Sequence, residues 1–273
     1  MFEVYPKISC VMTTTGRVEH VKRSVGCYLR QTYHPRDLTI LSQGNEVDNA
    51  AIGTYLEQMG RDDIRFFAVS PRLTLGAMRN LSCEIAPGEL ICQWDDDDLY
   101  HPVRIMSQYR AIRSEGQSVG SAYSAFLKYF AHTGEIYWCN WKGENRPLSR
   151  YLPGSVMFYK RFFYLAGSRL YPETGSQCHV EEDLNVLGKL LAHGKVVPIY
   201  DALHYLYIYH GTNTYDLKHH QLTLLTTSGK FVMSVEELLQ NRTHLEKSLQ
   251  TMGLSQPLKI RSLAGDAFLT GES

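Results

Sequence analysis

The sequence predicts an α/β protein built on a mostly parallel β-sheet with helices on both faces. Short apolar runs alternate with segments whose apolar residues recur at helical spacing, and the connecting loops are short. This alternation favours a Rossmann-like arrangement of strand–helix units. With 273 residues, 44% of them hydrophobic, the chain can bury the core of one large domain with a helical appendage.

The elements of the first half follow in order as strand–helix pairs. Strands are predicted at residues 8–12, 38–41, 64–69 and 89–94, and helices at 17–31, 49–59, 73–86 and after Pro102. No GxGxxG or GxxxxGK[ST] motif follows any of these strands, which argues against NAD enzymes and P-loop NTPases.

The composition narrows the class of partner. Lys+Arg and Asp+Glu balance at 28 each, which argues against bulk nucleic-acid binding. The six cysteines are scattered without a CxxC pair, so we expect neither a zinc nor a disulfide framework and a reducing cytoplasm fits best. We expect no secretory signal and no membrane span, because no run approaches ~18 apolar residues. Peripheral membrane contact stays open.

Four consecutive carboxylates at positions 95–98 follow the fourth predicted strand. Like charges this close repel each other unless a cation or water offsets them. One interpretation is a hard divalent cation held by carboxylate oxygens, and the other is a solvated acidic turn that caps the next helix. The position at the carboxyl end of a strand favours the ligand site.

Several sequence elements occur here in the order seen in one enzyme family. The segments ISCVMTTTGRVEHVKRSVGCYLRQTY, LTILSQGN and LGAMRNLSCEIAPGELICQWDDDDLYHP resemble family 2 glycosyltransferases of the GT-A fold. The resemblance covers about the first 110 residues and includes the QTY after the first helix, the G-A-x-R-N helix and the acidic strand end. It implies a nucleotide-sugar donor, a UDP-sugar by default, and a divalent metal, Mn²⁺ or Mg²⁺.

The resemblance places the family's DxD pattern on Asp95, Asp96 and Asp97. It implies that Asp97 binds the metal directly and that Asp95 contacts the ribose, or the metal through water. Asp96 would be the variable middle position of the donor site, solvated or capping, and Asp98 would give local support.

The resemblance also implies donor contacts outside the acidic run. Arg79 would contact the nucleotide or its phosphates, and Thr13, Thr14 and Arg17 would border the base and ribose. The structural alternatives are a surface arginine and a plain strand-to-helix turn. Gln43 stands where the family has acidic residues; its amide can bond a base edge, and the identity of the base stays open.

In the second half, strands are predicted within 119–131 and at 135–139, 195–200 and 203–209, with a helix at 160–166. The resemblance implies that Gly154 and Ser155 border the donor sugar and the acceptor. Trp138 either lines an acceptor groove or packs in the core.

The helix predicted from residue 179 to 193 begins with three acids, which suit a helix N-terminus. The resemblance implies a role beyond that: Asp183 would be the general base that deprotonates the acceptor hydroxyl, with Glu182 as its partner. His210, in a His-Gly-Thr-Asn segment, would approach the metal or the diphosphate. His219 and His220 are predicted to lie on the surface.

The predicted protein is therefore a metal-dependent, inverting glycosyltransferase of polysaccharide or glycoconjugate synthesis. Residues 1–214 would form the GT-A domain, with a nucleotide half (1–110) and an acceptor half (111–214), and residues 215–273 a helical extension and tail. That extension could bind an acceptor carrier or join subunits. A sugar-phosphate nucleotidyltransferase and a non-catalytic nucleotide-sugar or metal-binding module remain the alternatives.

Overall fold

The computed structural model of the chain describes residues 5–142, 147–165, 168–179, 181–222, 224, 232–254 and 257–270. The helices are α1 (Val18–Leu29), α2 (Glu46–Gln58), α3 (Leu75–Ile85), α4 (Arg104–Ser114), α5 (Glu182–His193), α6 (Leu217–Leu222), α7 (Val235–Gln240) and α8 (Arg242–Met252). The strands are β1 (Ile8–Thr14), β2 (Arg36–Ser42), β3 (Ile64–Ala68), β4 (Leu90–Gln93), β5 (Leu99–Tyr100), β6 (Ser118–Tyr123), β7 (Ala125–Phe130), β8 (Glu135–Asn140), β9 (Met157–Tyr159), β10 (Tyr164–Leu165), β11 (Ser168–Arg169), β12 (Lys195–Ile199), β13 (Tyr205–Tyr209), β14 (Lys259–Arg261) and β15 (Ala267–Leu269).

Within these residues the larger sheet has seven strands in the order β12-β6-β9-β4-β1-β2-β3. Neighbouring strands run parallel except at β9, which is antiparallel to both β4 and β6. Ile8, Cys10 and Met12 of the interior strand β1 are fully buried, as expected for a strand that packs against other elements. The predicted mostly parallel α/β sheet is confirmed.

A second sheet, of six strands among the described residues, has the order β15-β14-β8-β7-β13-β5. Its edge strand β5 pairs antiparallel with β13, with Tyr100 opposite Tyr205 and Leu99 opposite Leu206. Residues 95–98 therefore lie where the chain leaves β4 of the first sheet and enters β5 of the second. This junction positions the four carboxylates.

The predicted helix at 160–166 is wrong. Residues Lys160–Phe162 form a single 3-10 turn, and β10 follows at once and pairs with β11; Ala166 lies outside the described residues. The Lys160 ammonium donates to the carbonyl oxygens of Glu84 and Ala86 at the end of α3. This anchor fixes the segment as a turn against the first sheet, despite its helix-like apolar spacing.

The C-terminal region contains the expected helices and also two unexpected strands. Ser234 begins α7 with a capping box closed by Glu237, and Asn241 separates α7 from α8. Beyond them, β14 pairs parallel with β8, and β15 pairs antiparallel with β14. No helix in the described ranges is both long and apolar enough to cross a membrane.

Candidate functional site

A cavity of about 440 Å³ opens at the carboxyl ends of β1, β2 and β4, where an open α/β sheet binds its ligands. Its lining comes from these strand ends, from α3 and the loop before it, and from residues 179, 181–183, 207, 212–215 and 220. The sequence-predicted residues among the lining are Thr13, Thr14, Arg17, Gln43, Arg79, Asp95, Asp96, Asp97, Glu182 and Asp183. One cavity therefore collects polar residues from both halves of the chain.

Asp96 is buried, with only 1% of its surface exposed, which contradicts the solvated position predicted for it. Its Oδ2 accepts a hydrogen bond from Thr14 Oγ1 at 2.6 Å and one from Arg17 Nε at 3.2 Å, and Arg17 Nη2 donates to Oδ1. Burial, together with the charge of neighbouring Asp97, raises the pKa of Asp96 to about 6. These contacts tie the end of β1 and the start of α1 to the acidic turn.

Asp97 lies beside His210. Its Oδ2 accepts from Arg17 Nη1 at 3.0 Å and lies 3.1 Å from His210 Nε2. Burial alone would raise the pKa of Asp97, but the His210 hydrogen bond and the Arg17 charge outweigh it and lower the pKa. In the His-Gly-Thr-Asn turn, Asn213 Oδ1 accepts from the His210 backbone N–H at 2.8 Å, and Thr212 Oγ1 lies 2.9 Å from His210 Nδ1. This turn holds the imidazole against the carboxylate.

Arg79 joins two carboxylates that are far apart in sequence. Its Nη1 donates to Asp95 Oδ1 and its Nε to Glu182 Oε1, both at 2.9 Å. Only 7% of Arg79 and 4% of Glu182 is exposed. The nucleotide contact predicted for Arg79 stays a prediction, because in this structure the guanidinium pairs α3 with the acidic turn and with α5.

The G-A-x-R-N helix has a structural reason for two more of its motif residues, Gly76 and Asn80. A Cβ on Gly76 would lie 1.8 Å from the carbonyl oxygen of Pro172, so only glycine permits this close approach of α3. The Asn80 amide donates to the Tyr171 carbonyl oxygen at 2.9 Å and accepts from the Tyr171 N–H at 3.0 Å. The motif thereby fixes α3 against residues 171–172.

Asp183 lies at the start of α5, on the same cavity as the acidic turn. Burial raises its pKa to about 7, and the negative charge of Glu182 adds to this rise. A Cβ placed on Gly154 would lie 2.9 Å from Asp95 Oδ2 and 3.5 Å from Asp183 Oδ2. Gly154 thus lies close to both carboxylates, and a side chain at this position would have to displace that of Asp95.

Asp98 also lines the cavity, but its carboxylate is bonded to the second sheet. Its Oδ2 accepts from the Tyr205 hydroxyl at 2.8 Å and its Oδ1 from the Ile208 N–H at 2.9 Å. Below the turn, buried Arg104 donates to the Gln93 carbonyl oxygen at 2.7 Å and stacks 4.1 Å from the Tyr100 ring centroid. These contacts fix the turn to β13 and α4.

The remaining predicted donor-side residues are Thr13 and Gln43, which line the cavity. Gln43 Nε2 donates to the Leu73 carbonyl oxygen at 3.2 Å, and its Oε1 accepts from the Leu73 N–H at 2.6 Å. Its amide therefore clamps the loop before α3 and has part of its hydrogen-bonding capacity left for a base edge.

The structure does not bring Trp138 or Ser155 to the lining. Trp138 lies on β8 and packs against the hydrophobic core, as the alternative interpretation held. Ser155 is fully buried: its hydroxyl donates to the Leu152 carbonyl oxygen at 2.6 Å and accepts from the Tyr123 N–H at 2.8 Å. A role in sugar binding for either residue stays a prediction without a cavity contact behind it.

Sequence reasoning missed a polar cluster at the cavity wall. His220, predicted to lie on the surface, is 1% exposed and lines the cavity together with Tyr207. The Lys128 ammonium contacts His220 Nδ1 and lies 3.4 Å from the Tyr207 ring centroid. Burial lowers the pKa of Lys128 to about 7 and that of His220 to about 3. Only the strand pairing, with Lys128 opposite Tyr207, could have indicated this cluster.

Comparison with known proteins identifies the fold. No family model matches the chain. TarS of S. aureus (residues 1–349) is 11% identical over 90% of this chain and 81% of its own, with a TM-score of 0.56. The same protein in complex with UDP-GlcNAc aligns at 11% identity over 89% of this chain and 72% of that chain (TM-score 0.56). The mannosyltransferase PcManGT of Pyrobaculum calidifontis, in complex with GDP-Man and Mn²⁺, is 12% identical over 91% and 73% (TM-score 0.54). The chain therefore has a GT-A-type fold, as predicted.

Proposed function

We propose that this protein is a metal-dependent glycosyltransferase that moves a sugar from a nucleotide-sugar donor to an acceptor hydroxyl. The observation that carries the proposal is the shared cavity. Asp97 and a separate carboxylate, Asp183, both line it and come from opposite halves of a GT-A-type fold, and His210 lies against Asp97 at 3.1 Å. Two structural neighbours are complexes with UDP-GlcNAc and with GDP-Man, which supports a nucleoside diphosphate sugar as the donor class.

The residues present fit a divalent cation that is shared with the donor. Asp97 Oδ2 and His210 Nε2 lie 3.1 Å apart and offer one oxygen and one nitrogen ligand. Among the described residues, no group of three or more His, Cys, Asp or Glu side chains surrounds a common cation position. The remaining ligands would therefore be diphosphate oxygens and water, which is the usual mode of Mg²⁺ at phosphate substrates. PcManGT, also a complex with Mn²⁺, supports this choice of cation.

Two carboxylates have separate roles in this reaction: Asp183 acts on the acceptor hydroxyl, and Asp97 would hold the cation at the donor. Asp183 removes the proton from the acceptor hydroxyl as that oxygen attacks the anomeric carbon, and a pKa of about 7 suits this step near neutral pH. A bound metal neutralises the charge that grows on the departing nucleoside diphosphate. Asp95 and Arg79 hold the acidic turn and the start of α5 together, which keeps Asp183 oriented. A single displacement of this kind inverts the anomeric configuration.

The alternatives fit the site less well. A sugar-phosphate nucleotidyltransferase would need a glycine-rich phosphate loop after β1. Here the Thr14 hydroxyl closes that loop on itself, because it accepts from the N–H groups of Gly16 and Arg17 at 3.3 and 3.4 Å. A non-catalytic binding module would have no need for a half-buried Asp183 with a raised pKa at the cavity.

The two carboxylates give separable predictions. Asp97→Asn should abolish the Mn²⁺-dependent part of donor binding, because the neutral amide is a much weaker ligand than the carboxylate. Asp183→Asn should keep donor binding and lower kcat by about 10²- to 10⁴-fold, since it removes only the base. Isothermal titration with UDP- and GDP-sugars, with and without Mn²⁺, measures binding, and release of the nucleoside diphosphate measures turnover.

Asp62→Asn, at an exposed carboxylate outside the cavity lining, is the matched control and should match the wild-type protein in both assays. Equal loss of donor binding in Asp97→Asn and Asp183→Asn would refute the division of roles. If no nucleotide sugar bound or reacted with the wild-type protein, the enzymatic proposal itself would fail.

A further inference from the structure

Arg17 contacts both atoms proposed above to bind the cation. Its Nη1 lies 3.0 Å from Asp97 Oδ2 and 3.4 Å from His210 Nε2, and these two atoms are 3.1 Å apart. A cation bound to both atoms would lie about 2.1 Å from each of them, and the positively charged guanidinium would then repel it at close range. Arg17 and a metal ion therefore compete for the same two ligand atoms.

The location of Arg17 shows what holds it there. It directly precedes α1, where the helix dipole disfavours a positive charge, and its side chain is 30% exposed. Two carboxylates offset this cost. Asp96, which is 1% exposed, accepts hydrogen bonds from Arg17 Nε and Nη2, and Asp97 accepts one from Nη1. A nucleoside diphosphate in the cavity would offer this guanidinium a second set of anionic oxygens within reach of a flexible side chain.

Resting on the proposed function, we infer that Arg17 is an internal counter-cation that takes the metal's place beside Asp97 and His210 in the free protein. The diphosphate of the donor draws Arg17 off Asp97 and thereby opens the cation position. Divalent cation and nucleotide then bind cooperatively, and the free protein binds the cation weakly.

The decisive measurement is Mn²⁺ binding without nucleotide, followed through the electron paramagnetic resonance signal of free Mn²⁺. Arg17→Met should bind Mn²⁺ about tenfold more tightly than the wild-type protein, because the competing guanidinium is gone. Arg17→Lys, which keeps the charge, should stay close to wild type. A merely structural role for Arg17 would weaken Mn²⁺ binding when it is removed.

A second measurement follows from linkage. Saturating Mn²⁺ should raise the affinity of the wild-type protein for UDP or GDP, and this enhancement should fall by the same factor of about ten in Arg17→Met. Adding Asp97→Asn to Arg17→Met should cancel the gain in Mn²⁺ affinity, which locates the cation at Asp97.

The matched control is Arg23→Met. Arg23 is exposed and donates to the Asp97 backbone oxygen at 3.1 Å, so its removal changes the same net charge without vacating the cation position. Its Mn²⁺ affinity should equal that of the wild-type protein. If Arg17→Met fails to fold because Asp96 loses its partner, Arg17→Met with Asp96→Asn removes the buried charge as well and takes its place.

Two results overturn the inference. Equal or weaker Mn²⁺ binding in Arg17→Met than in the wild-type protein would show that Arg17 does not compete with the cation, while the metal site of the proposed function would stand. If no protein bound Mn²⁺ with or without nucleotide, both the inference and the metal part of the proposed function would fall.

Discussion

The environment of Asp183 predicts how the rate of glycosyl transfer depends on pH. Burial and the charge of Glu182 raise its pKa to about 7, so it is mostly protonated below that pH and cannot accept a proton. We expect kcat/KM for glycosyl transfer to rise with pH, about tenfold per unit, and to level off above the pKa. Steady-state rates across the pH range, with donor and Mn²⁺ held constant, give the profile.

Glu182→Gln tests whether Asp183 is the group that causes this inflection, because the substitution removes the negative charge next to Asp183. The inflection should move to lower pH, as the repulsion that raises the pKa of Asp183 is lost. An inflection that stayed in place, or a profile flat through neutral pH, would exclude Asp183 as the titrating base.

At single residues, sequence reasoning predicted a shared location better than it predicted an environment. Asp97 and Asp183 were placed by motif, and the structure brings both to one cavity. The environment of Asp96 was not predictable, because its partners Thr14 and Arg17 lie about 80 positions earlier and meet it only through strand order. His220 was missed for the same reason: nothing local signals that Lys128 lies beside it.

At the scale of elements, Arg79 is the connection between α3, the acidic turn and α5. Arg79→Met would leave Glu182, 4% exposed, as a buried carboxylate without its guanidinium partner. Breaking a buried ion pair from one side costs about 3 kcal/mol or more, and we expect a loss of that size in the free energy of unfolding. Urea denaturation followed by circular dichroism measures it.

Arg79→Lys should also be less stable than the wild-type protein, since one ammonium cannot replace the two guanidinium hydrogen bonds to Asp95 and Glu182. Adding Glu182→Gln to Arg79→Met should recover part of the loss, because no charge is then left buried. If Arg79→Met alone were as stable as the wild-type protein, the ion pair of Arg79 with Glu182 would contribute nothing to the stability of the fold.

The elements themselves were largely predictable in the first half of the chain. Predicted and observed helices agree to within a few residues, because apolar periodicity there coincides with capping residues such as Asn45 and Thr74. Residues 160–166 failed because a side-chain anchor, Lys160 on the carbonyl oxygens of α3, decides the local backbone. Periodicity carries no information about such a tertiary contact.

Across the whole molecule, the strand pairing of the second sheet was beyond sequence reasoning. The parallel pairing of β14 with β8 joins positions more than 120 residues apart, with Ile260 opposite Ile136. The tail therefore completes a sheet, whereas its polar composition indicated only an extension. The sequence predicts a boundary at residue 214 between a GT-A domain and a C-terminal extension. The hydrophobic core that the extension shares with the rest of the chain gives a test of that boundary.

The C-terminal region contributes side chains to the same hydrophobic core as β1 and α1, and Leu245, Leu249, Met252, Leu258 and Ile260 are almost fully buried in it. Burying each such side chain is worth roughly 1.5–3 kcal/mol, so removing all of them costs on the order of 10 kcal/mol. That equals the whole stability of a typical domain, about 5–15 kcal/mol.

A fragment of residues 1–214 should therefore lack a cooperative thermal transition in calorimetry. Leu249→Ala, which loses only about 2–5 kcal/mol, should fold and melt at a lower temperature. A fragment that unfolded cooperatively near the wild-type temperature would instead show that residues 1–214 form an independent domain.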